Sequence, residues 1–156
     1  MKFLRTLRLD DSDISVFPKA AEPGEFAVPG TFSFSGEEED RKERLAFKSG
    51  WLGLESFGRS TLVQIVNVSE QVIDDSVSIL ADHFLVAFGA PDRETALEAA
   101  RAEVGDAAAL CEQVAGTLLA IEREMVEDGI SERIRIVKRP EKGQHAKIWA
   151  VVGEDD

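Results

Sequence analysis

Residues 69–114 carry a helical repeat, and strand patterns flank them on both sides. That order constrains the fold more than any single motif does. Ile73, Val77, Leu80, Phe84 and Phe88 recur at steps of three or four, which lines one face of a helix. Ser69 stands where an N-cap belongs, with Glu70 in the first turn, and Gly89 and Pro91 end the run. A second helix is expected over Asp92–Val114, with Leu97, Ala100, Val104, Ala108 and Cys111 as its inner stripe. Its alanines let it lie close to its neighbour. HFLVAF, residues 83–88, also fits a short strand, but the longer repeat favours helix.

Before the helices, Phe3, Leu7 and Leu9 share one parity in Lys2–Leu9, as a half-buried strand requires. Pro23-Gly24 and Pro29-Gly30 mark turns. Thr31–Ser35 alternates, with Phe32 and Phe34 facing one way. The charge run 37–44 fits a helical turn or a solvated loop, and Leu45–Leu54 and Thr61–Val68 read as strands. TLVQIVNV is apolar on both parities, which places it centrally in a sheet. After the helices, Thr117–Glu124 reads as a strand and Glu127-Asp128-Gly129 as a hairpin turn. Ser131–Lys138 and His145–Val152 follow as a further hairpin turning at Pro140–Gly143, and the acidic tail, 153–156, is expected to fray. The pattern predicts one α+β domain over residues 1–156: a largely antiparallel β-sheet with two consecutive central helices packed on one face.

The net charge of -12 repels phosphate backbones and anionic membrane surfaces, so neither nucleic acid nor membrane is an expected partner. One cysteine excludes an intrachain disulfide, and two histidines are too few for a multi-histidine metal cage. Arg5, Arg8 and Asp10 interrupt the start before a signal-peptide core forms, so a cytoplasmic protein is expected. No nucleophile elbow, phosphate loop, dinucleotide fingerprint or zinc-protease motif occurs. The acidic runs lack the spacing of a calcium loop. No cofactor and no metal are expected.

Cys111 reads as a small buried residue rather than a nucleophile. His83, beside Asp82, could be a base held by a carboxylate, but no nucleophile accompanies it and a boundary residue is the plainer reading. Two contact-type surfaces remain. In Gly50–Ser60, Trp51, Phe57 and Arg59 stand among three glycines; an exposed Trp beside an Arg is typical of an interaction hot spot, whereas core packing with strand-bending glycines is the alternative. In the terminal hairpin, Arg133, Arg135 and Arg139 share one parity, as do His145, Lys147 and Trp149, while Ile134, Ile136, Ile148 and Val152 face the core. Such a basic, partly aromatic face could dock an anionic ligand or acidic segment, unless its arginines pair with nearby glutamates.

GWLGLESFGRSTLVQIV, FGAPDRETALEAA and GTLLAIERE with DGISERIRIVKRP together resemble a family of small bacterial proteins defined only as a domain of unknown function. The resemblance spans nearly the whole chain. Its glycines and apolar positions specify a fold rather than a chemistry, and it implies an accessory role beside metalloenzyme maturation. The expectation is therefore a non-catalytic cytoplasmic binding or accessory protein, with a protein partner or homo-oligomer. The alternative is a small-molecule-binding protein or enzyme with a pocket between helices and sheet, lined by His83 or Arg59.

Overall fold

The computed structural model describes residues 1–140. In chain order they form β1 (Lys2–Leu7), α1 (Ser12–Val16), β2 (Phe26–Val28), a 3₁₀ turn (Thr31–Ser33), α2 (Arg41–Ser49), β3 (Trp51–Gly53), β4 (Arg59–Ser60), β5 (Leu62–Asn67), α3 (Glu70–Ala87), α4 (Arg93–Ala109), β6 (Leu118–Val126) and β7 (Gly129–Lys138). The strands make one sheet in the order β4-β3-β2-β1-β5-β6-β7, every neighbouring pair antiparallel. The α+β class and the two consecutive helices packed on the sheet are as the sequence predicts.

The helices form where the repeat and caps place them. α3 buries Ser76, Leu80, Ala81 and Phe84, and residues 83–87 are helical, not a strand. Ser69 occupies the N-cap position, although its side chain makes no capping bond. Gly89 follows at φ 67°, the left-handed turn that ends a helix. Asp92 caps α4 by accepting from the Thr95 amide at 2.8 Å. α4 buries Ala96, Ala100, Val104 and Ala107, and this small-residue stripe brings it down on β1 and β2. α4 stops at Ala109, so Cys111 lies beyond the helix rather than on its stripe. It is nonetheless buried, and burial pushes its thiol up to about 11. β5 is interior, between β1 and β6, with Val63 and Ile65 fully buried.

Two local expectations differ. Residues 31–33 turn instead of extending, because Gly30 at φ 70° reverses the chain there. Phe32 then packs edge-on to Phe84 at 4.9 Å, while Phe34 meets Phe47 at 5.6 Å. Leu45–Leu54 is not one strand. Asp40 Oδ2 accepts from the Lys42 and Glu43 amides at 3.0 and 3.2 Å, which starts α2 and leaves only Trp51–Gly53 to the sheet. β7 pairs with β6 across the Glu127–Gly129 turn, as the turn motif predicts. The expected strand His145–Val152 and the tail lie outside the described residues.

Candidate functional site

Both chemically unusual residues of Gly50–Ser60 point inward. Trp51 is fully buried in the core cluster, on β3 between β2 and β4. Its indole Nε1 has no partner among the described residues. The reading of Trp51 as an exposed hot spot is thus overturned: it is a core residue. Arg59 is only 7% exposed, so it is no surface anchor either. Its guanidinium crosses the end of the sheet and gathers a loop. Nη1 donates to the Pro29 and Gly50 carbonyls at 3.2 and 3.1 Å, and Nη2 donates to the Gly30 carbonyl at 3.0 Å and to Ser33 Oγ. Gly30 must be glycine for this: a Cβ there would come within 2.8 Å of Arg59 Nη1.

A second buried arginine completes the clamp. Arg123 on β6 is 4% exposed and sits on the inward parity with Leu119 and Ile121. It donates to the carbonyls of Phe47 at 2.8 Å and Pro29 at 2.5 Å, and to Thr31 Oγ1 at 2.8 Å. It therefore caps the C-terminal end of α2, where helix carbonyls lack partners. Phe34 lies under both guanidinia, 4.3 Å from that of Arg59 and 5.0 Å from that of Arg123. Glu132 stands 3.8 Å from Arg123, and Glu103 accepts from the Gly30 amide at 2.9 Å. Among the described residues, Arg59 has no carboxylate within ion-pair distance. Burial first, and then the like charge of Arg123, lower its pKa to about 9, which leaves it cationic at neutral pH.

The loop before Arg59 is built around another buried charge. The Glu25 carboxylate is 2% exposed and accepts from the Glu22, Glu55 and Ser56 amides at 2.6, 2.9 and 2.9 Å and from Ser56 Oγ at 2.6 Å. Burial alone would raise this carboxyl; the hydrogen bonds outweigh it and hold it below its ordinary value. The turn so fixed carries Phe57 at φ 56°, which among the described residues is the one non-glycine in the left-handed region. A bulky residue held there is a strained position, and such strain gathers at functional sites.

The strain presents the Phe57 ring to α3. There it stacks on His83, with centroids 3.8 Å apart and planes 6° from parallel. Phe88 meets His83 edge-on at 5.4 Å. Burial lowers the His83 pKa, so the imidazole is neutral at pH 7. Asp82 does not orient it; that carboxylate pairs with Arg93 at 2.5 Å. The Phe57–His83 stack forms one wall of an open cleft of about 390 Å³ between α2, α3 and the sheet. Leu52, Arg59 and Phe34 line the same cleft, and Lys19 and Glu43 are its exposed charged residues. Its size suits a small organic molecule. Sequence reading named His83 and Arg59 as residues that would line such a pocket, and both do. It missed Arg123 and Glu25, and it did not foresee the role of Phe34.

The hairpin face is simpler. Arg133 and Arg135 project to one side of β7, away from Ile134, and remain exposed. Both turn to one carboxylate across the strand pair: Arg133 donates to Glu122 Oε1, and Arg135 Nε donates to Oε2 at 3.0 Å. Lys147 and Trp149 lie outside the described residues. Among the described residues, no three histidine, cysteine or acidic side chains group as metal ligands, and no helix is long and apolar enough to cross a membrane.

These features define an α+β protein with an antiparallel sheet and one aromatic cleft beside a buried arginine clamp. The chain belongs to the family of unknown function DUF6505, whose family model matches residues 1–155. No curated protein and no solved structure matches it.

Proposed function

We propose that this is a non-catalytic binding protein of the cytoplasm, and that the cleft at Phe57, His83 and Arg59 is its recognition site for a small organic molecule. The observation that carries the reading is the strained Phe57. Held in the left-handed region, it packs on the core edge and sets an aromatic wall along an open cavity. A binding role, rather than a reaction, is supported by the character of the lining. His83 stacks on a ring instead of facing a nucleophile, and Arg59 is engaged with loop oxygens. The acidic composition agrees with a cytoplasmic location.

Ala87 lines the cleft from the end of α3 and is exposed, so Ala87→Trp fills the cavity without entering the core. Wild-type protein equilibrated with a small-molecule extract of its source cells should retain a compound that mass spectrometry detects, and the Ala87→Trp variant should not. Equal retention by both proteins, or none by either, contradicts the proposal.

A second reading is self-association through the β6–β7 hairpin. It is supported by Met125, Val126, Ile136 and Val137, which are exposed apolar residues on that hairpin. Light scattering at high concentration tests it: a dimer supports it, and a strict monomer removes it.

A further inference from the structure

We infer that the cleft takes a planar organic anion, with its ring against the Phe57–His83 stack and its negative charge toward Arg59. This deepens the proposed binding role and rests on that reading. The charge preference follows from counting donors. A guanidinium has five N–H groups. Arg59 commits its two Nη atoms to Pro29, Gly50, Gly30 and Ser33. Its Nε–H makes no hydrogen bond among the described residues, and it is not one of the fully buried polar atoms left unpartnered there, which are Arg8 Nε and Trp51 Nε1. So one donor of the buried cation still reaches open space, and Arg59 lines the cleft.

The other charges do not cancel that preference. Glu132 stands against Arg123, and Glu103 is held by the Gly30 amide. Glu38 lines the cleft, but its carboxylate turns to its own loop and accepts from the Ser35 and Gly36 amides at 3.0 Å each. Glu43 lies at the exposed rim, where water screens it, and Lys19 is an exposed cation on the same rim. Arg59 is buried, so its field falls off less steeply into the cleft. His83 is uncharged at neutral pH and serves as a flat surface. Phe34, Phe57, His83 and Phe88 give the walls the flat aromatic faces that a planar ring stacks on.

Three probes of one shape and different charge test this on the intact chain: 2-naphthoate, 2-naphthamide and protonated 2-naphthamidine. Each is titrated while the ring resonances of His83 and Phe57 are followed by NMR. Naphthoate is expected to bind about tenfold more tightly than naphthamide, the scale of one charge-assisted hydrogen bond, and naphthamidine most weakly. The response to naphthoate should vanish in Ala87→Trp. Equal affinity for the acid and the amide, or a preference for the amidine, overturns the anion inference but leaves the cleft a ligand site. Silence of both rings toward all three probes at millimolar concentration overturns the cleft reading itself. Undiminished naphthoate binding in Ala87→Trp puts the anion elsewhere and also overturns the inference.

Discussion

Single residues carry most of what is unusual in this molecule, and Phe57 is the sharpest case. A β-carbon at φ 56° crowds the backbone, a cost glycine does not have. Two substitutions separate ring from backbone. Phe57→Ala loses the stack and keeps the strain, whereas Phe57→Gly loses the stack and relaxes the chain. Phe57→Gly should therefore be more stable than Phe57→Ala by about 1 kcal/mol in chemical denaturation. If alanine proves the more stable, the strain is not real. Arg123 makes a second residue-level prediction. Its fork spans Phe47, Pro29 and Thr31, and a lysine has one compact head to offer. Arg123→Lys should lose about 2–4 kcal/mol of stability, because two or more buried carbonyls lose their donor. A loss under 1 kcal/mol contradicts the clamp.

Elements follow caps and turns as closely as they follow hydrophobic pattern. The 3.6-residue repeat made α3 and α4 legible, and alternation with a turn motif did the same for β6 and β7. What escaped was set by single residues at element boundaries. Asp40 starts α2 in the charge run, and the helix continues into residues 45–49 that read as strand, while Gly30 turns residues 31–33 where Phe32 and Phe34 suggested extension. Arg123 was findable, since it is a charge on the apolar parity of LLAIERE. The fold around Glu25 was not, because its partners Glu55 and Ser56 lie 30 and 31 residues away in sequence. The loop it organises has a pH signature. The folded carboxyl is lowered below its ordinary 4.5, so its contribution is fully present above that value and is lost as pH falls through the folded pKa. Wild type should therefore lose stability steadily below about pH 4.5, whereas Glu25→Gln should start about 2–3 kcal/mol less stable at pH 7 and show a flatter acid limb. Parallel acid limbs in urea titrations from pH 7 to 3 would exclude this role for Glu25.

At the scale of the whole molecule, the sheet and the two helices were readable, but the gathering of the site was not. The cleft gathers residues from 18–19, 33–46, 52–59 and 83–88, and no local pattern records that these meet. Trp51 and Arg59 attracted notice for the right reason and the wrong direction. Glycines beside them do mark close approach, but the approach is inward: a Cβ at Gly53 would lie 2.3 Å from Glu25 Oε1, and one at Gly58 would lie 2.5 Å from Ala20. The contact surface moved accordingly, from an exposed Trp–Arg pair to a cavity walled by Phe57 and His83 with a buried arginine beneath. The direct measurement is an intermolecular NOE experiment with 2-naphthoate on the intact protein. Cross-peaks from the naphthyl protons to the Phe57 and His83 rings, lost in Ala87→Trp, are the predicted result. Cross-peaks to residues outside the cleft, or none to these two rings at saturating probe, would contradict the account.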